Sequence, residues 1–363
     1  MNKRWTNKDL IQLSILKNFK SLLFRQIVEK YDSFTEFNNS ELSKQIFQDS
    51  NKDSLSKLNE LADIQLQKMI DNDSRLISIW DEEYPQLLRQ TSSPPPMIFV
   101  KGKIYNDRHA IAIVGTRKAT AYGRLTSERF AEYLVANNIV VISGLAYGVD
   151  TISHLSAVRA GGITYAVLPS SIDTISPSTS KKYAEKIVES GGALISEYRF
   201  GVPANLGSFP QRNRIIAGVS LATIVVECGL KSGALITAKI ANSESREVFA
   251  VPGNINSSKS DGTNKLIKDN LAIIAISPES VLEELGINKL ITEKNNSNSS
   301  NIRFDDEAEA KLYNILNFEP LHIDSITELL DIDFSDLSSA LLMLEFKGHI
   351  KQLPGKYYLR THL

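Results

Sequence analysis

Over the first 75 residues, apolar side chains recur three and four positions apart and never alternate, as in WTNKDLIQLSILKNF and KSLLFRQIVEKY. That spacing puts them on one face of a helix, so residues 1–75 read as a small helical domain. A DNA-binding helical hairpin usually has a glycine in its turn. The first glycine of the chain is Gly102, which favours a helical packing module instead.

The pattern changes after TSSPPPMIFVKG. Its prolines force an extended backbone that runs into a short strand at Met97–Val100. AIAIVG, IVVISG, TYAVLP, GALISE and TIVVEC are then short, β-branched, unbroken apolar runs, and SERFAEYLVANN and SHLSAVRAGG between them have helical spacing. Strands apolar on both faces that alternate with helices predict an α/β fold, a doubly wound parallel sheet, over residues 80–285. The polar, Asn/Ser-rich stretch over 286–304 reads as a flexible linker. Residues 305–363 read as three helices and a hairpin around Pro354 and Gly355, the winged-helix pattern.

Composition narrows the function classes. The chain has 363 residues and is 42% hydrophobic, enough for two or three cored domains. No apolar run approaches about 18 residues, so no membrane span and no membrane partner are expected. The start has no apolar stretch after its charges and does not read as a secretory signal. Cys228 is the only cysteine, which excludes an internal disulfide and a thiolate cluster and fits a cytoplasmic protein.

A net charge of −1 hides an asymmetry. Residues 108–275 carry 18 Lys and Arg against 12 Asp and Glu, a balance of +6; residues 301–363 carry 6 against 11, a balance of −5. The middle of the chain attracts a polyanion and the end repels one. Winged helices often bind duplex DNA, but this one has the wrong charge for it, which points to protein contacts or regulation.

In a doubly wound sheet, ligands bind at the carboxyl ends of the strands. Four segments are equipped there. VGTRKATAYG supplies Gly115 for close backbone approach, the Thr116 hydroxyl and the forked Arg117 cation. ISGLAYGVDTISH brings Ser143 and Gly144 to a strand end; its Asp150 and His154 read as a cap and a packing histidine rather than an acid–base pair. GSFPQRNRIIAG sets Arg212 and Arg214 around Asn213. If a helix begins near Arg212, the two arginines do not share a face. One then points to a ligand, and the other turns toward Glu197 or Glu227. ECGLKSGALITAK opens a helix with Ser232 and Gly233, another N-terminus ready for an anion. Lys181, Lys182 and Lys231 lie near these loops.

No GxGxxG, GxxxxGK[ST], GxSxG, HExxH or CxxC occurs, so neither a cofactor nor a metal is expected. Phosphate-holding loops without an evident nucleophile suggest binding rather than chemistry. The alternative is an enzyme acting on a nucleotide, with Glu227 or Glu197 as its catalytic carboxylate.

IVGTRKATAYGR, VISGLAYGVDTISH, AGGITYAVL, LISEYRFG, FPQRNRIIAG, VVECGLKSGALITA and REVFAVPG occur in the order seen in the DNA processing protein DprA (Smf) family, which residues 80–282 resemble. The tail from EAKLYNILN to GKYYL is similar to that family's winged helix. The resemblance implies a Rossmann-like core that binds single-stranded DNA without cutting it. It also implies a homodimer through that core and delivery of the RecA recombinase onto strands imported in natural transformation. It further implies DNA contacts from Arg117, Arg212, Arg214 and Lys181 or Lys182, around a pocket shaped by Gly115, Gly144 and Gly233. The chain reads PSSIDTISP where the family usually has a Tyr-Pro pair, so an aromatic that would stack on a base is absent there.

Overall fold

A computed structural model describes residues 5–16, 21–46, 55–287, 304, 306–317, 320–330 and 332–360. The N-terminal helices are α1 (Asn7–Ile15), α2 (Ser21–Lys30), α3 (Phe34–Asn38), α4 (Glu41–Ile46) and α5 (Leu55–Asp71). Thr6 starts α1 with a capping box: its hydroxyl accepts from the Asp9 N–H, and the Asp9 carboxylate accepts from the Thr6 N–H. The buried faces do not close on themselves. Leu10, Leu13, Phe24, Phe34 and Phe37 belong to the same apolar cluster as Met97, Phe99, Leu168 and Leu194 of the sheet region. A short strand not apparent in the sequence follows at once, β1 (Ser74–Ser78).

After α6 (Gln86–Arg89) come β2 (Met97–Gly102) and β3 (Ala110–Val114), then α7 (Ala121–Ala136), β4 (Val140–Ser143), α8 (Val149–Arg159), β5 (Thr164–Val167), α9 (Lys181–Glu189) and β6 (Ala193–Ser196). The fold continues through α10 (Ser208–Val219), β7 (Ala222–Val225), α11 (Gly233–Ser243), β8 (Glu247–Ala250), α12 (Asp261–Lys268), β9 (Ile273–Ile274) and α13 (Pro278–Glu284). The sheet order is β1-β2-β6-β5-β4-β3-β7-β8-β9. From β6 to β9 every pairing is parallel, as the apolar runs predict. All five residues of β3 are buried, because helices cover both faces. β1 and β2 add an antiparallel margin beyond β6.

The order reverses between β3 and β7. From β3 the chain winds outward through β4, β5 and β6, then returns through α10 to β7 on the other side of β3. In open α/β sheets, the crevice outside such a reversal is where ligands bind.

Compact packing divides the chain into one unit of residues 1–118 with 127–288 and another of 119–126 with 289–363. The N-terminal helices and the sheet thus fall in one unit. In the second, α14 (Glu307–Ile315), α15 (Ile323–Leu330) and α16 (Phe334–Phe346) pack with β10 (Leu321–His322), β11 (Ile350–Leu353) and β12 (Tyr357–Arg360). Their core holds Leu312, Tyr313, Ile326, Leu337, Leu341, Leu344 and Ile350. β11 and β12 form the expected hairpin, with Gly355 at a φ of 85° in its turn. The expected linker lies almost wholly outside the described residues.

Candidate functional site

A cleft of about 480 Å³ opens at the reversal between β3 and β7. Its walls are Gly115, Thr116 and Arg117 after β3; Ala146 and Asp150 after β4; Phe209, Pro210, Arg212, Asn213 and Ile216 of α10; and Gly229, Lys231, Ser232, Gly233, Ile236 and Thr237 around the start of α11. All four segments singled out in the sequence meet here. The Thr116 N–H donates to the Glu227 carbonyl at 2.7 Å and ties the loop after β3 to that after β7.

The two arginines separate, but not from the helix start that the sequence suggested. α10 begins at Ser208, so Arg212 lies in its second turn. Asn205 explains the earlier start: its Oδ1 accepts from the Gly207 and Ser208 N–H groups at 2.9 and 3.0 Å. Pro210 is tolerated because the first turn needs no N–H from it. Arg212 is buried and donates to the carbonyls of Gly144, at 2.7 Å, and Val167. A Cβ on Gly144 would lie 2.6 Å from the Arg212 guanidinium, so any side chain there would have to displace that head.

Burial lowers the Arg212 pKa to about 10, Asp150 opposes that shift, and Arg117 adds to it. The guanidinium stays protonated at neutral pH. Burial raises the Asp150 pKa, and Arg212 counteracts this first. The Asp150 carboxylate also accepts from the Gly144 and Ala146 N–H groups at 3.2 and 3.4 Å, which fixes the loop after β4. Arg214 turns aside. It pairs with the Glu197 carboxylate and donates to the Ser93 carbonyl at 2.6 Å.

Arg117 is exposed, with its guanidinium 5.2 Å from the centre of the Phe209 ring. That cation–π contact holds it at the cleft while leaving its N–H fork to solvent. Gly148 supports the same loop from below. Its φ is 78°, and a Cβ there would come within 2.3 Å of the Thr116 carbonyl. Gly115 is hemmed in by Val149 and the Glu227 carbonyl. Lys231, in the loop after β7, also lines the cleft and is exposed. The Ser232 hydroxyl caps α11 by accepting from the Ala234 N–H at 3.3 Å, and the Asn213 amide donates to the Gly233 carbonyl at 3.4 Å. A side chain on Gly233 would meet nothing within 4 Å, so its absence widens the cleft.

Besides Arg214 and Gly144, which packs against the Arg212 head, three more expected contacts do not line the cleft. Ser143 turns into the core, where its hydroxyl donates to the Ile113 carbonyl at 2.6 Å and laces β4 to β3. Lys181 and Lys182 open α9 as exposed side chains and do not line the cleft. The segment before them is tied to the loop after β4: the Ser180 hydroxyl donates to the Leu145 carbonyl, and the Tyr147 and Thr179 hydroxyls meet at 2.7 Å. Tyr147 is 50% exposed and directly follows the cleft residue Ala146. His154 is a packing residue, as expected. The Thr164 hydroxyl donates to the Val141 carbonyl, so His154 Nδ1–H donates to Thr164 at 2.6 Å. Burial, with a further push from Arg212, holds the His154 pKa down to about 3.

Phe209, Tyr147 and Gly148 escape a sequence reading. Nothing local marks Phe209 as the ring under Arg117, since the two are 92 positions apart. Among the described residues, no group of three or more His, Cys, Asp or Glu side chains is placed to hold a metal ion. No helix among them is long and apolar enough to cross a membrane.

Comparison with known proteins gives consistent results. The family model described as DNA recombination-mediator protein A matches residues 75–286, more than half of the chain, and that described as DprA winged helix domain matches 299–356. Protein Smf of Escherichia coli K12 is 36% identical over 286 residues, covering 78% of this chain and 76% of that protein. The crystal structure of DNA processing protein A from Streptococcus pneumoniae is similar with a TM-score of 0.63 and 31% identity, covering 77% of this chain and 98% of that one. A structure of DNA processing protein A from Helicobacter pylori, reported for its single-stranded DNA binding mode, matches with a TM-score of 0.53 and 28% identity, covering 58% and 95%.

Proposed function

We propose a function from one premise, that the chain belongs to the DNA recombination-mediator protein A family: it binds single-stranded DNA in the switch-point cleft and does not cut it. The observation that carries this reading is the cleft's charge. Arg117, in the loop after β3, and Lys231, in the loop after β7, line it as exposed cations, and the buried Arg212 lines it as a third charge. Such a groove suits a phosphate backbone, and the guanidinium fork matches two phosphate oxygens. Tyr147, half exposed beside the cleft, supplies an aromatic face on which a base stacks, the role that the serine-rich segment after β5 does not fill, while Phe209 holds Arg117. Lys181 and Lys182, beyond Tyr147, extend the basic track.

The nucleotide-enzyme reading needs a carboxylate free to act at the base of the cleft. Glu197 and Glu227 are not among its lining residues. Asp150 is, but its carboxylate is engaged by two backbone N–H groups and balanced by Arg212. That favours holding a strand over cleaving it.

The finer reading is a cytoplasmic homodimer that loads a RecA-type recombinase onto strands taken up in natural transformation. Exposed Leu271, Ile274 and Ile276 at the β9 edge support pairing of two cores. The test is fluorescence anisotropy with a labelled oligonucleotide, single-stranded and as a duplex, followed by a denaturing gel. Preference for the single strand, recovered intact, is expected. Equal affinity for the duplex, or a shortened oligonucleotide, would contradict the reading. For the partner, the expected result is a shorter lag before RecA-type ATPase activity on DNA precoated with single-strand-binding protein.

A further inference from the structure

The winged-helix unit carries a surface that DNA binding does not explain. In helix-turn-helix folds, the second helix of the pair enters the major groove, and phosphate contacts require Lys or Arg. Here that pair is α15 and α16. From Leu321 to Phe346 the sequence contains no Lys or Arg, but has Asp324, Glu328, Asp331, Asp333, Asp336 and Glu345. Several of this unit's cations are used internally. Lys347 pairs with the buried Glu309 at 2.6 Å, Lys311 with Glu307 at 2.9 Å, and Arg360 stacks over Tyr313 at 4.0 Å.

Where a DNA-reading helix carries polar and basic side chains, α16 is apolar. Leu337, Ala340, Leu341 and Leu344 fill the core on one face. On the other, Ser335, Ser339, Leu342 and Phe346 recur at helical spacing in a single stripe. Leu342 is 68% and Phe346 86% exposed, with Met343 beside them. Leu329, near the end of α15, and Phe334, at the start of α16, are also exposed. Asp336 and Glu345 of α16, Asp333 at its cap, and Asp324 and Glu328 of α15 are exposed on the same two helices; Asp324 also meets His322 at 3.3 Å, and Glu345 accepts from the Gln352 N–H at 3.0 Å.

We propose that the outer face of α16 docks a cationic amphipathic helix of a partner protein, whose apolar side chains lie on Leu342 and Phe346 and whose Lys or Arg side chains meet the carboxylates of α15 and α16. Charge complementarity selects this occupant. Nucleic acid and anionic lipid surfaces meet like charge here, and so does a second copy of the same face. A helix laid in an apolar strip and flanked by opposite charge satisfies both features at once. This surface is independent of the cleft, so a failure of either reading leaves the other standing.

The test uses the full chain and a dye-labelled helical leucine–lysine peptide, with a leucine–glutamate counterpart as control. Binding of the lysine peptide, weakened by salt and absent for the glutamate peptide, is expected. Leu342→Asp and Phe346→Asp each weaken it by about tenfold or more, as loss of a buried apolar anchor does. Both side chains are exposed, so the melting transition and affinity for single-stranded DNA stay at wild-type values. Hydrogen exchange then slows along α16 on adding peptide. Two results overturn the proposal: variants that bind the peptide as wild type does, or protection of α16 by duplex DNA and not by the peptide.

Discussion

Two glycines decide how the cleft is built at the level of single residues. Gly144 leaves the space that the Arg212 guanidinium fills, and Gly148 leaves the space for the Thr116 carbonyl beneath Arg117. Gly144→Ala sets a methyl group against a buried charged head. We expect it to cost about 2–3 kcal/mol of stability and to lower single-stranded DNA affinity, read by thermal denaturation and anisotropy together. Wild-type values in both would remove Arg212 from the site.

His154 makes a prediction in pH. Its folded pKa of about 3 lies below the ordinary value of 6.5. Between those two values the unfolded chain holds a proton that the folded one does not, so stability falls as pH drops through that window, by about 1.4 kcal/mol per unit at most. The raised carboxyls of Asp150 and Glu197 act in the opposite sense. The His154 contribution is therefore the difference between wild type and His154→Asn in denaturant titrations from pH 7 to pH 4. A variant with the wild-type slope would contradict the neutral buried histidine. That the arginines at 212 and 214 diverge was legible from their spacing. Which one faces the cleft was not, because the answer depends on Asn205 starting the helix a turn earlier.

Helix α10 works on two sides at once. Ile215, Ile216 and Ala217 bury its inner face, Arg212 faces the cleft, and Arg214 braces it against β6 through Glu197. Burial raises the Glu197 pKa, and Arg214 is what opposes that shift. Arg214→Ala leaves this carboxylate buried without its partner, so a loss of about 3 kcal/mol is expected. Affinity for DNA well below the melting transition should hardly change. A variant that melts normally but binds poorly would mean Arg214 contacts DNA directly. Most strands were readable because burial on both faces makes a run apolar throughout. β1 was not, since SRLIS is a short edge strand that is only partly buried and its pairing with β2 is set by the fold. The winged-helix elements were readable for the opposite reason: their helices are amphipathic and their hairpin turns on Pro354 and Gly355.

For the molecule as a whole, the unbroken apolar runs made the parallel sheet legible but not its order, and the order places the cleft. The strand reversal beside β3 brings together segments more than 100 residues apart, such as the loops holding Arg117 and Lys231. Charge asymmetry was readable without any fold: the core is basic and the tail acidic. The β9 edge gives a test of assembly. The proposed pairing of two cores predicts a dimer mass for the wild type in light scattering and a monomer mass for Ile274→Glu with Ile276→Glu; a monomeric wild type, or a variant with the dimer mass, would contradict it.

The most direct measurement is binding of a labelled single strand across a salt series, comparing wild type with Arg117→Ala and Lys231→Ala. Both side chains are exposed, so neither change should disturb folding. The cleft account predicts steep loss of affinity with salt in the wild type. For each variant it predicts about five- to tenfold weaker binding and a log–log slope shallower by about one. Variants that follow the wild-type curve would contradict it, because the strand would then lie somewhere other than in this cleft.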